Sequence, residues 1–289
     1  MKPSDRNNKI SGIIDAAEKS FKRGDYENAA LLFQYLTAFF RAFKLGDHRR
    51  LFAEKAGESY RRAAEKFKGS ARAIILCVRA AEAFHESGKI EMAKACELKA
   101  WEYYHMVEDE EFRKGGESIR ALKIFGDYLL NNNNFEKAIA LYEDAAEKAL
   151  KYGRHLLAGG LYKDAGDCYQ KIGNLEKAAH TNLKAADIYF HCREYFEAAW
   201  NYCKASLTFI RLNRMEEALQ AAEKAEIACE RGEIEIFLRD LSRICRLLSQ
   251  GLLNEAEENW NRIKMKFNRR YIWLIESSFR AARKTRQNR

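Results

Sequence analysis

Apolar positions along most of the chain recur three and four residues apart. In NNFEKAIALYEDAAEKALKY, residues 133 to 152, the stepping residues are Phe135, Ala138, Ile139, Tyr142, Ala145, Ala146, Ala149 and Leu150. That spacing lays them along one stripe of an α-helix. Asn134 stands at the N-cap position, where its side-chain oxygen is expected to accept an orphan first-turn amide. The same pattern predicts fourteen helices: residues 9–23, 25–44, 48–67, 70–87, 89–107, 114–131, 134–152, 155–172, 174–191, 193–212, 214–230, 233–249, 251–266 and 270–285. Strand-like alternation never runs for more than a few residues, and the single proline, Pro3, precedes every periodic segment. The chain reads as all-α.

The helices repeat. Aligned on EKAIALYE, GNLEKAAHTN and NRMEEALQAA, the alanines Ala138, Ala178 and Ala218 are forty residues apart, and Ala256 in GLLNEAEENW follows after thirty-eight. The partner helices share a small residue followed three positions later by an aromatic: Gly57 and Tyr60, Ala81 and Phe84, Gly166 and Tyr169. A small residue there lets a neighbouring helix come close while the ring fills the gap one turn on. Glycines 24, 46, 69, 88, 153, 173, 232 and 251 punctuate the helix ends. Short connections make successive helices antiparallel neighbours. Helix pairs that cannot bury their faces alone stack on one another. The expectation is a right-handed, tetratricopeptide-like α-solenoid of about fourteen antiparallel helices in one continuous domain, residues 9–268. It follows a disordered stretch over residues 1–8 and ends in a capping helix with a basic tail, residues 269–289.

Charge changes the picture only at one end. The 289 residues hold 51 Lys and Arg against 42 Asp and Glu, a formal charge of +9. From Asn259 onward there are ten basic residues and one acid, Glu276, so the body is neutral and the excess is C-terminal. In RRYIWLIESSFRAARKTRQNR, Tyr271, Leu274, Ile275, Ser278, Phe279 and Ala282 form a stripe. Arg269, Arg270, Arg280, Arg283, Lys284, Arg286 and Arg289 gather towards the ends. They suit the dipole of a terminal helix, and equally an electrostatic foot on an acidic membrane or an acidic partner.

Candidate chemistry is sparse. The seven cysteines are odd in number, never in a C-x-x-C arrangement, and read as reduced core-filling thiols. The six histidines stand singly, so no metal is expected. Gly115-Gly116 and Gly159-Gly160 lack the lysine and the strand–loop–helix setting of a phosphate cradle. The run Glu108 to Glu111, EDEE, reads as a solvated connection. The tyrosines at 26, 103, 104, 142, 162, 169, 189 and 202 read as packing rather than as platforms for bases. Neither an enzyme nor a cofactor is indicated, and no specific nucleic-acid partner. No apolar run is long enough to cross a bilayer, and a cytoplasmic chain, peripheral to membranes at most, is the expectation.

NNFEKAIALYEDAAEKA resembles the central repeat of the SNAP family, the soluble attachment proteins for the fusion ATPase NSF. The likeness runs from DYENAALLFQYLTAFF through SARAIILCVRAAEAF and LEKAAHTNLKAADIY to IEIFLRDLSRICRLLSQGLLNEAEENWNRIK and RRYIWLIESSFRAARK, about residues 9–285. The resemblance implies a non-catalytic adaptor that lies along an acidic SNARE-type helical bundle and links it to an AAA-type ATPase in vesicle trafficking. By its analogy Arg120, Lys123, Arg154 and Lys163 are the partner-binding residues. Two departures stand out. The apolar membrane loop of alpha-SNAP-like members has no counterpart in KRGDYENAA, and the acidic tail through which the family engages its ATPase is replaced by RAARKTRQNR. Two other readings remain open: a generic tetratricopeptide-like interaction scaffold, and a peripheral membrane- or nucleic-acid-binding protein acting through its basic C-terminus.

Overall fold

The computed structural model describes residues 3–234 and 237–287. Among them are fifteen α-helices, one 3-10 turn and no strand. The helices are α1 Pro3–Lys22, α2 Tyr26–Ala42, α3 Gly46–Lys66, α4 Ala71–Ser87, α5 Ile90–Met106, α6 Asp109–Lys114, α7 Glu117–Asn131, α8 Phe135–Lys151, α9 His155–Lys171, α10 Leu175–His191, α11 Tyr195–Arg211, α12 Met215–Arg231, α13 Phe237–Ser249, α14 Leu253–Ile263 and α15 Arg269–Gln287; the 3-10 turn is Lys264–Lys266. The expected helices are all present. The fifteenth is α6, a six-residue helix formed by part of the acidic run that read as a plain connection. Helix α1 starts at Pro3; a proline suits a first helical turn because its missing N–H has no partner there anyway.

The chain divides into two compact units, Met1–Asn132 and Asn133–Arg289. In the first, α1 to α5 pack in sequence and α7 returns to α4. His85 Nε2 lies 3.2 Å from the Tyr128 hydroxyl across that last contact.

The second unit shows how the forty-residue period arises. Helices α8 to α12 each span 17 residues and are separated by three-residue turns. Each turn has one residue in the left-handed region: Asn133, Gly153, Gly173, Arg193, Asn213 and Glu233, twenty residues apart. There the chain closes the preceding helix with a long backbone bond, as from Asn174 N to Tyr169 O (3.0 Å) and from Arg214 N to Phe209 O (2.9 Å). At the last of these ends Glu233 takes the left-handed conformation, not Gly232. Gly232 is needed for room instead, since a Cβ on it would lie 2.7 Å from Tyr195 Cβ. The cap expected from Asn134 is not made, although the equivalent Asn174 accepts from Lys177 N at 3.2 Å.

The alanines that mark the repeat, Ala138, Ala178, Ala218 and Ala256, are fully buried between helices. The small-residue positions are close approaches: a Cβ on Gly57 would lie 2.9 Å from the Phe84 ring, and one on Gly159 3.2 Å from the Tyr189 ring. The Gly159-Gly160 pair is therefore a packing device. Six of the seven cysteines are buried and Cys192 is half-buried. Burial pushes the thiols up, to about 12 at Cys77 and about 11 at Cys96, Cys168 and Cys229.

Helix α11 is the centre of the second unit. It packs on α10, α12, α13 and α15, and residues 201–210 are buried on every side. Helix α15 folds back onto it: Leu274, Ile275, Ser278, Phe279 and Ala282 are buried, and Ser278 Oγ donates to Leu207 O at 2.9 Å.

Candidate functional site

Residues 201–210 of α11, NYCKASLTFI, present no solvent face, yet position 204 is a lysine. The Lys204 side chain is 4% exposed. Taking an ammonium out of water costs several kcal/mol unless it is paired. Its partner is Asp167 on α9, whose Oδ1 lies 2.5 Å from Lys204 Nζ. The other Asp167 oxygen lies 3.4 Å from Arg270 at the start of α15. Burial, the largest influence on each, works against both charges. At Asp167 the charges of Lys204, Arg270 and Lys163 outweigh it and hold the carboxyl below its ordinary value. At Lys204 burial prevails over Asp167, and Arg270 and Lys163 add to it, so the ammonium sits below the ordinary lysine range.

This ion pair forms the floor of an open cleft of about 390 Å³. The cleft is bounded by α9, α11, α13, the 3-10 turn and the start of α15. Its charged lining is Lys163, Asp167, Glu197, Lys204 and Lys266, with Arg270 bound to Asp167 from one side. Its walls are aromatic. Trp200 meets Tyr271 edge-on at 4.6 Å and stacks on Phe267 at 6.2 Å, while Phe237 packs edge-on against both Phe267 and Phe196. Phe196, at the mouth, is 48% exposed. The helix-repeat pattern explains the placement: α9, α11 and α13 are alternate helices, so they present their faces side by side, and α15 crosses to close one end.

Two of the expected site residues meet here from different lines of reasoning: Lys163, a partner-contact candidate, and Arg270, from the basic end. The others lie apart. Arg120 and Lys123 are on α7 in the first unit, Arg120 exposed and Lys123 paired with Asp127 at 2.9 Å. Arg154 is half-buried in the turn leading into α9. Of the basic end, Arg283 pairs with Glu257, whereas Arg269, Arg280 and Lys284 are exposed. The side chains of Arg286 and Arg289 lie outside the described residues. The excess positive charge is thus partly knit into the second unit and is not wholly a free foot.

The first unit has a groove of its own, but its charges are matched. Arg41 forks onto Glu86 at 3.0 and 2.5 Å, and Tyr60 donates its hydroxyl proton to Gln34 at 2.6 Å. Burial raises the Glu82 carboxyl there. Among the described residues no group of three or more His, Cys, Asp or Glu is placed to hold a metal, and no helix is long and apolar enough to cross a membrane.

Neither the protein-family models nor the curated proteins provide a match to the chain. Solved structures do. A signal transduction ATPase with numerous domains from Pyrococcus horikoshii, with a tetratricopeptide repeat sensor, is similar over 96% of this chain and 44% of its own, at 19% identity and TM-score 0.54. The likeness is one of fold alone. The chain spans less than half the length of that protein. Aspartyl phosphate phosphatase F from Bacillus subtilis matches 93% of this chain and 74% of its own at 16% identity and TM-score 0.45. A Rap conjugation gene regulator of plasmid pLS20, in complex with a Phr peptide, matches 91% and 76% at 17% identity and TM-score 0.37. The chain is an all-α protein of tetratricopeptide-like helical repeats.

Proposed function

We propose that this chain is a non-catalytic protein-interaction scaffold that holds a segment of a partner polypeptide in the cleft of its second unit. The observation that carries this reading is the cleft itself. A repeat fold has brought cations and aromatic rings from five elements to one open concavity, with a buried ammonium at its base. Pockets that combine apolar walls with a few fixed polar groups are the usual form of a binding site. Among the described residues the cleft's paired groups are ionic partners, Lys204 and Arg270 on Asp167.

The test is a selection from a random peptide library on the full-length chain, followed by hydrogen exchange of the chain with and without the selected peptides. Binding that slows exchange in α9, α11 and α13 supports the reading. Failure to select any binder, with exchange unchanged throughout, overturns it.

A narrower reading makes the scaffold a SNAP-like adaptor for a helical SNARE-type bundle and an AAA-type ATPase. The forty-residue helix pair and the C-terminal helix packed back on the array favour it; the structures described above lend it no support. It expects preference for an assembled four-helix bundle over its separated strands in sedimentation velocity. It also expects that preference to fall when Arg120, Lys123 and Lys163 are reversed in charge. Equal binding to bundle and strands refutes it and leaves the broader scaffold standing.

A further inference from the structure

We infer that the cleft of the second unit selects acidic segments: one partner carboxylate reaches the Lys204 floor while an adjoining aromatic or large aliphatic side chain seats among Phe196, Trp200 and Phe267. This rests on the scaffold reading and gives it a chemical class of ligand.

Charge is the first argument. The cations at the cleft are Lys163, Lys204, Lys266 and Arg270; the described carboxylates are Asp167 and Glu197. Both Asp167 oxygens are already engaged, one by Lys204 and one by Arg270. Two positive charges therefore remain unmatched among the described residues, in a recess whose aromatic walls thin out the screening water.

Donor capacity is the second. An ammonium has three N–H donors. Among the described residues Lys204 gives one, to Asp167, and two remain for an incoming oxygen. Arg270 touches Asp167 through a single guanidinium nitrogen at 3.4 Å, which leaves most of its five donors unused. A carboxylate entering over Asp167 meets the remaining donors of Lys204.

Aromatic geometry is the third. The Trp200–Tyr271 and Phe196–Phe237 pairs are edge-on, at interplanar angles of 84° and 74°. Ring edges carry the positive side of the quadrupole and tolerate an anion, while the exposed faces accept an apolar side chain. A wholly apolar segment leaves the cations unpaired, and a purely acidic one leaves the rings wet. A segment with both fits.

The source of the anion is taken to be a carboxylate side chain, whose two oxygens match the two donors that remain on Lys204.

The experiment measures fluorescence polarisation with the full-length chain and a labelled peptide of core Asp-Glu-Phe-Asp-Leu. Beside it run the amide peptide Asn-Gln-Phe-Asn-Leu, the peptide Asp-Glu-Ser-Asp-Ser and a phosphotyrosine peptide with no other acid. The acidic–aromatic peptide should bind at least about tenfold more tightly than the amide and the serine versions, and its affinity should fall as salt rises. Lys204→Met should weaken it about tenfold. Lys163→Glu, at a half-buried position of the lining, and Lys266→Glu, at an exposed one, should each weaken it several-fold, with urea unfolding run beside them to show that the fold is kept.

Equal binding of the amide peptide, or unchanged affinity in Lys204→Met and both charge-reversal variants, overturns the inference. So does stronger binding of the phosphotyrosine peptide, which would make the ligand a phosphate. If library selection returns binders that protect α2 to α4 instead, the scaffold reading survives and this inference fails. If nothing binds at all, the scaffold reading itself has failed.

Discussion

Replacing Asp167 by Asn leaves the Lys204 ammonium buried with no counter-charge and keeps the shape of the floor. Removing one member of a buried ion pair costs about 3–5 kcal/mol. Asp167 is 25% exposed on the cleft side, which draws the figure to the lower end. Arg270 is half exposed and loses little when its partner goes. We expect a loss of about 3 kcal/mol at pH 7, read from urea unfolding by the fluorescence of Trp200, Trp260 and Trp273. Adding Lys204→Met removes the stranded charge at nearly the same volume and should restore about 2 kcal/mol.

The pH dependence checks the cause. In the native chain the Asp167 carboxyl is held below its ordinary value. Its contribution is complete above the unfolded carboxyl pKa of about 3.9 and is lost as pH falls through the folded value. Lys204 runs the other way: burial lowers its folded pKa, so the unfolded chain holds that proton more tightly. The penalty is full below the folded pKa and eases as pH rises through it towards the ordinary lysine value of about 10.4. In Asp167→Asn nothing opposes burial, so the deficit should shrink as pH rises towards the ordinary lysine value. A deficit under about 1 kcal/mol, unaffected by pH and not relieved by Lys204→Met, refutes the account of this floor as a buried ion pair.

Three further outcomes follow from the packing and the turns. Gly57→Ala should destabilise the first unit by about 1–3 kcal/mol in thermal or urea unfolding, because the added methyl meets the fully buried Phe84 ring at 2.9 Å; a neutral or stabilising result shows that the ring can move aside. Arg193→Gly should stabilise the second unit by about 0.5–1 kcal/mol, since Arg193 occupies the left-handed region that Gly173 fills one turn earlier, and Gly173→Ala should cost about 1 kcal/mol with no clash to blame. Mass spectrometry after brief alkylation of the native chain should find label first at half-buried Cys192 and last at Cys203 and Cys245, which are fully buried.

The helices were legible because a single stripe at three and four spacing cannot serve any other element, and the aligned alanines mark contacts that admit nothing larger. Helix α6 was not legible: six residues of mostly charged side chains have no period to read. The division near Asn132 was hidden because the turn there has the same local chemistry as its neighbours, including a left-handed asparagine. Lys163 and Arg270 were singled out for separate reasons, and only the fold shows that they share Asp167. Lys204 was missed, though the signal was present. NYCKASLTFI has no polar side to offer, and a lysine in a helix without a wet face has to be buried and paired. Its carboxylate, in DAGDCYQ, stands thirty-seven positions away, where a sequence offers no reason to join the two.

The left-handed residues at twenty-residue intervals have a mechanical consequence. Between Asn133 and Glu233 every hairpin has the same contour and the same closing bonds at its turn, so each would lengthen by a like amount when drawn out. Forty residues extend to roughly 130–145 Å, and a single molecule held by its ends in an optical trap should give way through this stretch in even steps of that order, less the folded span. Helix α15 interrupts the series. Stitched to α11 and tied to α9 through Arg270 and Asp167, it must peel away before the hairpins it clasps can open. Traction on the C-terminus is therefore opposed first by the last turns of α15, through Arg283 with Glu257 and Thr285 with Asn213, and the contacts at the cleft give way after them, so a ligand seated there acts as a late brake on unravelling.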